Sequence, residues 1–124
     1  MTEKVDLDGL PDRLNEYGPA AYLVTVGETG APHVVSVTVE RIGPTQLRLA
    51  AGRTSTNNVR VNPTVTLLWP AEPDGQYSLL VDGLATEGDG GSGGGALEIQ
   101  PTSAILHRVA SGQGPTCLPV TPAP

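Results

Sequence analysis

The chain has 124 residues and carries 7 Lys plus Arg against 13 Asp plus Glu, a net charge of −6. That length is one domain with room for a core of its own, and that charge excludes a protein that grips DNA or RNA by neutralising phosphates. One cysteine and two separated histidines exclude an internal disulfide and a Cys/His metal cluster.

With one Trp, three Tyr and no Phe, the core has to come from Val, Leu, Ile and Ala. No apolar run is long enough to span a membrane, and the start lacks a basic-plus-apolar leader, so a cytoplasmic protein is expected.

The first expected element is a short amphipathic helix. Asp6 or Asp8 offers a cap, Pro11 is tolerated in the first turn, and Leu7, Leu10 and Leu14 recur at helical spacing. Gly18-Pro19 ends it. Ala21 to Val26 reads as a strand, Gly27-Glu28-Thr29-Gly30 as a turn, and His33 to Arg41 as a second strand alternating toward its end. After the turn at Ile42-Gly43-Pro44-Thr45, Gln46 to Ala51 is a third strand. The short turns imply antiparallel hairpins in sequence order.

Gly52 to Pro70 is the most informative stretch. Thr54, Ser55 or Thr56 offers a side-chain cap for a short helix, which Asn62-Pro63 stops, because the residue before proline is driven out of the helical region. Thr64 to Trp69 is β-branched and apolar, a strand. A hydroxyl-rich helix start beside Arg53 is a place to hold a phosphate; the same residues also suit an ordinary capped helix between two strands.

Further along, Tyr77 to about Glu87 reads as a long strand in which Gly83 marks a bulge or bend. The Asp89 to Gly95 run is a flexible hairpin tip; it lacks the Lys-Ser/Thr ending of a phosphate loop. Ala96 to Ile99 and Ser103 to Val109 read as two strands or one bent strand. Residues 1–109 form the expected domain, and 110–124 a Pro/Gly-rich mobile tail. About six antiparallel strands with two or three short helices fit a small, mainly β, Greek-key-like barrel.

Arg53 to Pro70, with its Asn62-Pro63-Thr64-Val65 centre, resembles the pyridoxamine 5′-phosphate oxidase-like, FMN-binding split-barrel family. Pro32 to Val39, Leu80-Val81-Asp82-Gly83-Leu84-Ala85 and Ile99-Gln100-Pro101-Thr102 look like three further strands of that family, in order. The resemblance implies a homodimer that binds FMN, or its deazaflavin relative coenzyme F-420, in grooves between subunits. The phosphate would lie on Arg53, Thr54 and Ser55, with Asn57 and Asn58 beside them, and the ring system on Val35, Ser36, Val37 and Thr38.

The departures from the family are also specific. Ser55 stands where many members carry a phosphate-binding Lys, and Thr54 where its neighbour is often Arg, so Arg53 supplies one charge where those members have two. Each missing charge-assisted bond removes roughly 1.5–3 kcal/mol. Ser55→Lys, at what reads as an exposed polar turn, would restore the second charge, whereas Arg60, almost two helical turns along, is expected to matter little. Pyridoxamine phosphate oxidases carry an Arg and a Lys in the second strand where this chain has Val35 and Glu40 or its neighbours, which argues against true vitamin B6 oxidase activity.

The resemblance therefore implies a flavin- or deazaflavin-dependent oxidoreductase passing a hydride to or from a small organic substrate. Its alternative is a non-catalytic barrel dimer that binds a small molecule or cofactor without redox turnover, and the cofactor alternatives are FMN, F-420 or none. No catalytic side chain stands out. His33 at a strand start reads as a solvated edge residue or a proton donor, and Trp69 as core or as a ring platform. Asp82 and Glu87, five residues apart on one strand, fall on opposite faces and do not form an acid/base pair.

Overall fold

The computed structural model describes residues 2–71, 75–88 and 95–108. The order is β1 (Thr2–Val5), a single turn of 3-10 helix, α1 (Leu10–Tyr17), β2 (Ala20–Val26), β3 (Pro32–Arg41), β4 (Leu47–Ala50), α2 (Arg53–Val61), β5 (Thr64–Trp69), β6 (Tyr77–Glu87) and β7 (Ala96–Arg108). The strands run β1-β7-β4-β3-β2-β5-β6, all neighbours antiparallel, and β6 returns to β7 so that the last six close a barrel. Three hairpin-linked strands, β2 to β4, followed by a fourth that comes back beside the first make the expected Greek key.

Alternation drives the closure. Ala21, Leu23 and Thr25 of β2, Val65, Leu67 and Trp69 of β5, and Leu79, Val81 and Ala85 of β6 point inward and are buried. Leu47, Leu49, Leu97 and Ile99 complete the interior, so aliphatic residues do supply most of the core, around one tryptophan. α1 plugs one end: Leu10 and Leu14 are buried, and each leucine so placed contributes about 1.5–3 kcal/mol.

Two aromatic side chains hold this end. The Trp69 Nε1–H donates to the Gly18 carbonyl at 2.8 Å, and the Tyr17 hydroxyl donates to the Tyr77 carbonyl at 2.7 Å. Gly18, at φ 78°, ends the helix in the conformation that glycine tolerates.

Neither helix carries the expected side-chain cap. Gly9 is the N-cap of α1 and Gly52 that of α2, so Asp6, Asp8 and the hydroxyls at 54–56 make no capping bond. α2 does stop at Asn62, as the following proline requires.

The last strand is continuous and carries a bulge. Asp82 pairs with Ser103 and Gly83 with Pro101, so Thr102 is the extra residue. Pro101 is tolerated because the other edge of β7 is unpaired there, between the stretch paired with β4, which ends at Ile99, and the stretch paired with β1, which begins at Ala104. At Gly83 a Cβ would come within 2.8 Å of the Gln100 carbonyl oxygen, which accounts for the glycine. Strand β1, which no apolar pattern announces, is built from Thr2, Glu3, Lys4 and Val5 on the free stretch of β7. The hairpin tip at 89–94 and the tail from 109 lie outside the described residues.

Candidate functional site

The start of α2 opens onto a cavity of about 710 Å³ lined by Ala51, Gly52, Arg53, Thr56, Asn57, Arg60, Glu87 and Gly95. Residues 53, 56, 57 and 60 share it because they recur at three- and four-residue spacing and so form one helical stripe. The strand before the helix is fixed at its last turn, where the Ala51 amide donates to the Gly95 carbonyl. Gly95 sits at φ 81°, and any Cβ there would press on the Ala51 carbonyl.

Arg60 is held across the cavity wall by Glu87. Its Nε–H donates to Oε2 at 2.8 Å and its NH2 to Oε1 at 2.7 Å, a bidentate pair, while NH1 reaches Asn57 Oδ1 at 3.4 Å. The hydrogen bonds and charge of Arg60 keep the Glu87 carboxyl below its ordinary range, and Glu87 in turn raises Arg60. Both groups face solvent, so the pair contributes little to stability. Whatever it contributes is present above the ordinary carboxylate range and fades as pH falls through the lowered value.

Thr56 Oγ1 is buried and, among the described residues, has no hydrogen-bond partner. Two arginines and a residue with an orphaned hydroxyl in the lining of one cavity suit an anion with several acceptor oxygens, which can take hydrogen bonds from all of them.

The sequence-predicted residues separate into groups. Arg53 and Asn57 line this cavity. Thr54 is exposed but outside it. Ser55 is not in an exposed turn: it is the third residue of the helix and only 1% exposed, because that side of α2 packs on the barrel beside Val59. Asn58 also turns inward, where its amide donates to the Oγ1 of buried Thr25 at 3.1 Å and fastens the helix to β2.

The strand residues lie elsewhere. Ser36 and Val37 line a second cavity of about 310 Å³ with Tyr17, Tyr22, Trp69 and Pro70. Val35 and Thr38 line neither cavity; Val35 packs against the core and Thr38 is exposed. Trp69 is core, 1% exposed, as one of its two readings had it. His33 is half-buried at its strand start.

Sequence reasoning missed Arg60, Glu87 and the site role of Thr56. The 53, 56, 57, 60 spacing was the signal for the helical members. For Glu87 there was none, since only the fold brings the end of β6 against α2. No group of three or more metal-ligating side chains occurs among the described residues.

This closed Greek-key barrel shares the split-barrel fold of solved proteins of the pyridoxamine 5′-phosphate oxidase type. A Clostridium acetobutylicum protein of the pyridoxinephosphate oxidase family, related to general stress protein 26, superposes with TM-score 0.63 at 17% identity, covering 84% of this chain and 91% of its own. An F420 reductase gives 0.58 at 22%, covering 75% and 94%. A heme storage protein from Vibrio cholerae gives 0.62 at 13%, covering 84% and 96%. At these identities the likeness is one of fold.

The sequence itself is 37% identical over 126 residues to the uncharacterized proteins Mb0449c of Mycobacterium bovis and MT0457 of Mycobacterium tuberculosis, covering 92% of this chain and 87% of each of them. The chain belongs to their family. No known family's profile matches it.

Proposed function

We propose that the protein is a homodimeric flavin- or deazaflavin-dependent oxidoreductase that passes a hydride to or from a small organic substrate, and that it is not a pyridoxamine phosphate oxidase. The observation that carries this is the cavity at α2 of a split barrel, whose lining includes Arg53, Arg60 and Thr56 with its unpartnered hydroxyl. Arg53, Thr56, Asn57 and Arg60 would hold the phosphate of FMN or F-420, and Ser36 and Val37 the side of the ring system. The bound cofactor supplies the hydride chemistry itself. The chain's residues bind and orient it. Among the described residues no helix is long and apolar enough to cross a membrane, which is compatible with the cytoplasm.

Support for the dimer comes from the outer face of the sheet. Tyr22 pairs with Leu68, Leu68 with Leu80, and Leu80 with Ile105, so one apolar rung crosses four strands. Val34 opposite Val24 adds to it. Tyr22 is 42% and Val34 56% exposed, and apolar side chains so exposed on one face are more usual at an interface than on a monomer.

Two measurements test the proposal. Titration with FMN and with F-420 is expected to show binding of at least one, and Arg53→Ala should weaken it by roughly tenfold, the size of a lost charge-assisted contact. Failure of both cofactors to bind would remove the redox role and favour the non-catalytic barrel. By light scattering the protein should be a dimer, and Val34→Asp, which puts a charge at the most exposed apolar side chain of this face, should yield folded monomer. A monomeric wild type at micromolar concentration would overturn the assembly.

A further inference from the structure

A carboxylate in the wall of an anion cavity needs a reason. Glu87 stands in that wall with both oxygens on Arg60. Arg53 and Arg60 against Glu87 leave a net charge of one positive unit. Among the described residues, Arg48 and Glu98 on the neighbouring strands pair with each other at 3.2 Å and cancel.

A phosphate at the end of a chain carries about −1.5 to −2 at pH 7. A phosphodiester carries one negative charge. One net positive charge therefore balances the diester and falls short of the terminal phosphate, which Glu87 also repels twice as strongly. Resting on the reading of this cavity as the cofactor's anion site, we propose that Arg60 and Glu87 together select a monoanionic phosphodiester over a dianionic terminal phosphate.

Arg60 can serve both partners. A guanidinium has five N–H donors; Glu87 takes two and Asn57 a third. Two remain for a ligand oxygen, while the bidentate pair fixes the plane of the group. Arg60 then supplies the second positive charge that the turn at Arg53 to Ser55 lacks, and Glu87 sets how much anion that charge will accept. Of the two cofactors, F-420, whose phosphate is a diester, suits the cavity better than FMN.

The test compares FMN with its 5′-methyl phosphodiester, which keeps the ring and ribityl chain and removes one charge. Both are titrated against wild type and Glu87→Gln by quenching of flavin fluorescence. Wild type is expected to bind the methyl ester at least as tightly as FMN. Glu87→Gln should tighten FMN roughly tenfold and the ester only about threefold, because the same carboxylate acts on two charges in one ligand and one in the other. Gln keeps the shape and an acceptor, and a thermal melt in parallel checks the fold. Equal gains for both ligands, or no gain for FMN, would overturn the selectivity while leaving the cofactor site standing. If neither ligand nor F-420 binds either protein, the site itself falls and the selectivity with it.

Discussion

Ser55→Lys is expected to lower the melting temperature by roughly 10–20 °C, a penalty of about 3–5 kcal/mol for a charge left buried without a partner. Thr54→Lys, one residue earlier, should shift it by no more than about 2 °C, as for an ordinary surface change. Ser55 is 1% exposed, on the side of α2 that faces the barrel beside Val59, whereas Thr54 is on the solvent side. A Lys at 55 has to strand its ammonium under the helix or lift α2 away from β2. Lifting the helix would break the Asn58 to Thr25 hydrogen bond as well. Added FMN or F-420 should not rescue the variant, because the cavity lies on the opposite stripe of the helix. Circular dichroism melts of the two variants decide it: equal melting temperatures would mean that Ser55 is accessible after all, and the family-like Lys would again be a usable gain in charge.

The same residue shows where the sequence was legible and where it was not. Local chemistry that acts through the backbone came through well. Asn62-Pro63 ends α2, Gly18 ends α1, and the β-branched run from Thr64 to Trp69 is a strand over the span expected. Gly83 marks a true irregularity, because the constraint there is on the backbone of a neighbouring strand. With those anchors a small antiparallel barrel could be expected from residues alone, and the split barrel from the family resemblance.

What depended on which face of an element meets the barrel did not come through. Thr54, Ser55, Thr56 and Asn57 are all small and polar, and the two valines of the helix point apart, Val59 buried and Val61 exposed, so the sequence does not by itself set the rotation of α2. Only packing decides that Ser55 goes in and that Thr56 and Asn57 face the cavity. By distance along the chain Arg60 is remote from the helix start, although i to i+7 spacing returns it to the stripe of Arg53. Strand β1 is polar and mostly exposed, and it exists because β7 has an unpaired edge, which is a property of the closed sheet. Pro101 likewise divides an apparent pair of strands only on paper, since its missing donor falls in the gap between two partners.

Trp69→Ala should cost about 3–5 kcal/mol, as large-to-small changes of a buried aromatic do, and Trp69→Phe about 1–2 kcal/mol. The indole is 1% exposed at the end of β5. Its Nε1–H occupies the Gly18 carbonyl, one of the groups that the end of α1 leaves without a helical partner. Alanine removes the ring and opens a cavity under α1, so Leu10 and Leu14 lose their floor. Phenylalanine keeps most of the apolar volume and gives up the hydrogen bond, and its smaller cost is that of one half-buried acceptor left unpaired. Urea unfolding followed by far-ultraviolet circular dichroism separates the two. Trp69 also borders the cavity that holds Ser36 and Val37, so the Phe variant tests a ring-platform role independently. If Trp69→Phe is as stable as wild type and yet binds FMN or F-420 more weakly, the indole serves the ligand and not the core. The expected outcome is the reverse, a modest loss of stability with cofactor affinity unchanged, because the hydrogen bond turns the indole edge toward α1.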